Sequence, residues 1–70
     1  MADVLAEMVA NVWKVLVSAG DVISAGEPLV ILESMKMEIP VESPLTGTVK
    51  EIRVREGGVV QEGDLLVVVE

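Results

Sequence analysis

Several residue types that usually carry chemistry or stabilise small folds are missing from this sequence. Among its 70 residues there is no cysteine and no histidine, and the only aromatic side chain is a single tryptophan. Such a chain has no disulfide, no thiol nucleophile, no serine–histidine pair and no ordinary zinc site. The composition therefore argues against a self-sufficient enzyme, a metal-binding protein and a disulfide-stabilised fold.

Positive charge is also scarce. Five Lys and Arg residues stand against twelve Asp and Glu residues, which gives a net charge of −7, and a surface of that sign repels phosphate backbones. The longest apolar run, residues 65–69, is too short to cross a bilayer, and the N-terminus lacks the basic and apolar segments of a signal peptide. We therefore expect a cytoplasmic protein that binds neither nucleic acid nor membrane.

The apolar residues that are present favour strands. Fifteen valines and four isoleucines are β-branched, and such side chains fit a pleated sheet better than a helix. The length suits one domain, so residues 1–70 are expected to form a single all-β unit with a thin aliphatic core. We expect a flattened barrel or sandwich of antiparallel sheets, with Trp13 covering one end of its core.

An internal repeat appears when the sequence is shifted by 37 residues. Residues 11–33 then overlie residues 48–70, with eight identities in 23 positions. Each copy has two glycines six residues apart, and because glycine readily adopts positive φ, these indicate turns around a short apolar pair. The glycines are Gly20 and Gly26 in the first copy and Gly57 and Gly63 in the second.

The apolar segments predict the strands of two matching halves. Pro40 lies inside one segment and cannot donate a backbone hydrogen bond, so that strand is expected at a sheet edge. Residues 43–47 have the composition of a turn, in which Gly47 is expected to supply the unusual φ. The main strands are predicted near residues 3–9, 12–17, 29–33, 37–41, 49–54 and 65–69, with short ones at 22–23 and 59–60.

Residues 33–38 lie between the two copies. If the halves are equivalent, this segment is a hairpin with Lys36 at its tip, surrounded by water. The two-residue period of a strand places Met35 and Met37 on one side and Lys36 on the other. Met35 is expected to be exposed and Met37 to pack in part.

The residues Glu33-Ser34-Met35-Lys36-Met37 resemble the attachment motif of biotinyl domains, in which a lysine between two methionines receives biotin. The glycine-punctuated repeat resembles the same family, and the match covers about residues 9–70. It is similar to stand-alone biotin carboxyl carrier or biotin/lipoyl attachment proteins and to the carrier domains of larger carboxylases. Two departures are Ser34, where many biotinyl domains have Ala, and Gly58, where the second repeat usually has Asp.

The resemblance implies a barrel-sandwich hybrid with biotin joined covalently to Lys36. It also implies that a biotin-protein ligase recognises Met35 and Met37, with help from Glu33 and Ser34. The domain would carry an activated carboxyl group between the active sites of a biotin carboxylase and a carboxyltransferase, without being an enzyme itself.

Two other functions remain open at this point. The sequence also resembles lipoyl domains, which share the two-repeat fold and use a lysine at the same hairpin. Those domains typically have an acidic residue before the lysine and a small residue after it, whereas both neighbours of Lys36 are methionine. An unmodified adaptor domain of the same fold is the second alternative, although it has no need of Met-Lys-Met at the tip.

Overall fold

The computed structural model describes residues 2–70, and every regular element in that range is a β-strand. The strands form two four-stranded antiparallel sheets. In spatial order, the first sheet contains β1 (Ala2–Leu5), β8 (Leu65–Val69), β6 (Gly47–Ile52) and β3 (Val22–Ile23). The second contains β5 (Met37–Glu42), β4 (Pro28–Ser34), β2 (Ala10–Val15) and β7 (Val59–Val60). The predicted all-β class and paired antiparallel sheets are confirmed, and none of the described residues belongs to a helix that could span a membrane.

The 37-residue shift of the sequence also relates the two sheets. It converts the bounds of β2 into those of β6 and the bounds of β3 into those of β7. Hydrogen bonds between the two repeat copies follow the same rule, since Gly20 N–H donates to the Val49 carbonyl and Gly57 N–H donates to the Val12 carbonyl, both at 2.8 Å. The edge strands β1 and β5 occupy matching places as well, although they lie outside the aligned segments. The fold is therefore pseudo-two-fold symmetric.

The core between the sheets is aliphatic, as the composition predicts. In β2 the buried side chains of Ala10 and Val12 alternate with exposed ones, as expected of a sheet that buries one face, whereas the inner strand β8 is buried at four consecutive residues, 66–69. The largest fully buried side chains are those of Ile23, Leu29, Leu32, Leu66, Val12, Val30, Val49, Val67 and Val69.

Trp13 does not cover an end of this core, contrary to expectation. The β2–β4 register shifts between Val12 and Lys14, so that Trp13 is the additional residue of a β-bulge. Trp13 is 41% exposed, and the Lys14 amine lies 5.6 Å from the centroid of its ring. A bulge redirects side chains, and the sequence pattern gave no sign of it.

One turn type occurs four times at the joints between strands. In each of these four turns the fourth residue donates its backbone N–H to the carbonyl of the first residue, and the third residue is a glycine with φ between +86° and +96°. Positive φ at the third position is the requirement of a type II turn. The four turns are 18–21, 24–27, 55–58 and 61–64.

Gly47 differs from the turn glycine that was expected. It begins β6 and does not have positive φ. Its side-chain hydrogen matters for another reason, because a Cβ at this position would collide with the backbone carbonyl oxygen of Glu70. The turn before it is organised instead by the buried Ser43, whose hydroxyl donates to the Leu45 carbonyl at 2.6 Å.

Three predicted strands were also too long at their C-terminal ends. The first ends at Leu5, because Ala6 N–H donates to the Asp64 carbonyl and the chain then crosses between the sheets. β2 and β6 end at Val15 and Ile52, two residues early, where their chains turn towards the type II turns. Pro40 lies in β5 at the edge of its sheet, as predicted.

Candidate functional site

The loop that joins β4 and β5 has two residues, the shortest length that is common in β-hairpins. Ser34 is paired with Met37, so only Met35 and Lys36 form the turn. Both have positive φ, 53° and 67° respectively, which is the signature of a type I′ turn. That turn type matches the right-handed twist of paired strands and holds the loop close to the sheet.

Neither turn residue is one that favours this backbone. Type I′ turns prefer Asn-Gly or similar pairs, and an L-residue with a long side chain in the left-handed region costs about 1–2 kcal/mol. Met35 and Lys36 therefore both adopt positive φ, one after the other, although neither residue type favours that conformation. Unfavourable backbone of this kind concentrates at functional sites.

The side chains at the tip extend into solvent. Met35 is 92% exposed and Met37 is 64% exposed, and Lys36 is exposed between them. Among residues 2–70, no hydrogen bond or ion pair engages the Lys36 amine. Attachment of a carboxylic acid through an amide bond requires an accessible primary amine, and the exposed, flexible side chain of Lys36 provides one.

Two expectations about the methionines are wrong. Strand alternation does not continue through a turn, so Met35 and Lys36 are neighbours within the loop and only Met37 lies in a strand. Met37 also lacks the partial packing that was expected of it, because it belongs to the first pair of an edge strand beyond the end of the core.

The pairs below the turn bring two acidic residues face to face. Glu33 of β4 is directly opposite Glu38 of β5, and like charges in this relation weaken a sheet by roughly 0.2–1 kcal/mol. On the other side of β4, Glu33 is paired with Asn11, which is paired in turn with Val59 of β7. Glu33, Ser34 and the methionines are predicted site residues from the sequence, whereas Val59 is not among them, because only the sheet register brings it to this end of the molecule.

A β-sandwich that presents an exposed amine on a two-residue turn has the arrangement expected of a carrier domain. This chain belongs to the family described as biotin-requiring enzyme, whose sequence model matches residues 1–69. Its cofactor is biotin, and its place in that family is that of the carrier domain.

Comparison with individual proteins supports the same assignment. The chain is 54% identical over 67 residues to the biotinylated protein TB7.3 homolog of Mycobacterium leprae (strain TN), covering 96% of this chain and 94% of the relative. It is 53% identical over 60 residues to the biotin/lipoyl attachment protein of Bacillus subtilis (strain 168), covering 86% and 82% respectively. The fold superposes on the crystal structure of Kluyveromyces lactis urea carboxylase with a TM-score of 0.92 and 32% identity, over 99% of this chain but 6% of that one.

Proposed function

We propose that this protein is a biotin carboxyl carrier in which the Nζ atom of Lys36 holds biotin through an amide bond. The observation that supports this most directly is the exposure of Lys36 in a type I′ turn, with no partner for its amine among the described residues. The other lysines lie within or beside strands, and neither occupies a loop tip: Lys14 in β2 and Lys50 in β6.

Attachment requires the Lys36 amine to attack an activated carboxyl carbon. The Lys36 ammonium first loses one proton and its positive charge to become a nucleophilic amine. The nitrogen then loses a second proton as the C–N bond forms and the activating group leaves, so the net charge of the chain changes from −7 to −8. We propose a biotin-protein ligase as the catalyst, with Met35 and Met37 as apolar contacts and Glu33 and Ser34 beside them. Flexible, polarisable methionine side chains adapt well to a partner surface.

Bound biotin supplies a ureido nitrogen that accepts a carboxyl group and later releases it. The contribution of this chain is mechanical, because the paired sheets hold the tip rigidly while the long lysine stem provides reach. Tethering replaces repeated capture of a free cofactor with an intramolecular encounter at high effective concentration.

The proposed partners are a biotin carboxylase and a carboxyltransferase. The structural likeness to one segment of a urea carboxylase favours this proposal, since a domain of this shape occurs there within a much longer chain. A cytoplasmic location belongs to the same proposal and is tested by fractionation of the native cells.

Intact mass after co-expression with a biotin ligase tests the attachment. The wild-type chain and Lys14→Arg should each gain one biotinyl group, whereas Lys36→Arg should gain none, because a guanidinium is a poor acyl acceptor. Peptide mapping should place the group on Lys36. A lipoyl increment in cells that contain both cofactors would overturn the biotin proposal, and an unmodified chain would favour the adaptor alternative.

A further inference from the structure

Val22 and Val59 are equivalent residues of the internal repeat. Each is the first residue of a two-residue strand at the edge of its own sheet, β3 or β7. Both side chains are exposed, at 79% and 67%. The fold therefore places the same apolar residue in the same local structure twice, in two different surroundings.

Only Val59 lies in the sheet that carries the attachment hairpin. Its partner Asn11 is paired with Glu33, which is paired with Glu38, and the next pair of that hairpin is the one that closes the turn. With strands about 4.8 Å apart, Val59 lies about 10 Å from the strand of Glu33. Val22 is paired instead with Thr48 of the other sheet.

A further exposed apolar side chain lies at the same end of this sheet. Val9 is 64% exposed and directly precedes Ala10, which is paired with Val60 of β7. Together with Met35, Met37 and Val59, it forms what we call the apical patch. Apolar side chains left exposed as a group, rather than singly, mark interaction surfaces.

An enzyme that acylates Lys36 cannot bind the turn alone. A specific interface buries about 800 Å² on each partner, which is far more than two turn residues provide. The contact must extend from the tip onto neighbouring surface, and the sheet register places Val59 at the end of the sheet that carries the tip, with Asn11 and Glu33 between them. The facing carboxylates of Glu33 and Glu38 lie beside the tip, so the complementary surface is apolar with basic groups at its margin.

We infer that Val59 is a contact residue for the ligase that attaches biotin to Lys36, an inference that rests on the proposed function. Val59 would act in recognition and not in the chemistry, because it lies two strands away from the hairpin strand β4. Its symmetry mate Val22 provides a matched control with the same residue, strand length and edge position.

The test compares Val59→Ser with Val22→Ser as substrates of a purified biotin ligase. Biotin transfer should fall about fivefold or more in kcat/KM for Val59→Ser and stay within about twofold for Val22→Ser, since single apolar contacts of an interface differ widely in effect. Val59→Leu should retain most of the wild-type rate. Urea unfolding of each variant shows whether the two serines have equal effects on folding.

Equal rates for the two serine variants would overturn the role of Val59 while leaving biotin attachment intact. A wild-type chain that accepts no biotin would instead overturn the proposed function and this inference together. Loss of transfer that tracks loss of folded protein in both variants would also count against a recognition role.

Discussion

The carboxylate of Asp21 accepts a hydrogen bond from the backbone N–H of Ser18 at 2.8 Å, three residues earlier in the chain. The other acidic residues that end a type II turn do the same, since Glu27 accepts from Ser24 at 3.3 Å and Asp64 accepts from Gln61 at 2.8 Å. The remaining turn, 55–58, ends in Gly58, which has no side chain to accept a hydrogen bond. The departure from the family pattern noted in the sequence therefore removes one turn-closing hydrogen bond.

Replacing Gly58 with Asp should restore that bond to the N–H of Arg55. We expect Gly58→Asp to be more stable than Gly58→Ala by about 0.5–1 kcal/mol, which is typical of one exposed hydrogen bond. Both variants place a Cβ 3.1 Å from the Arg55 carbonyl and both lose the freedom of glycine, so their difference isolates the carboxylate. Urea unfolding measures it, and equal midpoints for the two variants would argue against the missing bond.

The glycine at the third position of each type II turn should be required only because the backbone there has positive φ, and not because a side chain would clash. Gly26 has φ of +86°, and a Cβ there would meet no atom within 4 Å. Gly26→Ala should therefore destabilise the fold by about 1 kcal/mol without any steric clash. Gly26→Asn should cost less, because Asn tolerates this conformation. Thermal unfolding decides, and an unchanged midpoint for Gly26→Ala would contradict the turn requirement.

The paired sheets should unfold as one unit, since each half completes the other. The carbonyls of Val12 and Val49 each accept a hydrogen bond from the opposite half, so neither half forms all of its backbone hydrogen bonds alone. We expect the fluorescence of Trp13 and the far-ultraviolet circular dichroism to report the same urea midpoint. Separate transitions would show that residues 1–70 are not a single cooperative domain.

The sequence predicted the sheets better than it predicted the surface. Glycine spacing and valine-rich segments are governed by backbone and burial demands, which leave a strong pattern, and they predicted the repeat and the short strands. The missing backbone N–H of Pro40 predicted the edge position of its strand. The bulge at Trp13 and the close approach of Gly47 to Glu70 depend on contacts between distant segments. No local pattern records such contacts, so both were missed.

At the hairpin tip, too, one feature was predicted from the sequence and another depends on contacts between distant segments. The repeat predicted a chain reversal around Lys36, but nothing in Met-Lys indicates a type I′ turn, because neither residue favours positive φ. The turn forms because pairing of β4 with β5, down to Ser34 and Met37, leaves two residues to connect the strands. Sheet register overrides local preference here, and register also brings Val59 to the tip.

Stability and function should conflict at Lys36. Glycine is favoured at the second position of a type I′ turn, so Lys36→Gly should stabilise the hairpin by about 1 kcal/mol while removing the attachment amine. Lys36→Arg should leave stability within about 0.5 kcal/mol of wild type, because it keeps a long side chain in the same backbone state. Neither variant should carry biotin. Urea unfolding paired with streptavidin blotting measures both effects, and a Lys36→Gly chain less stable than wild type would show that the tip is not held against its local preference.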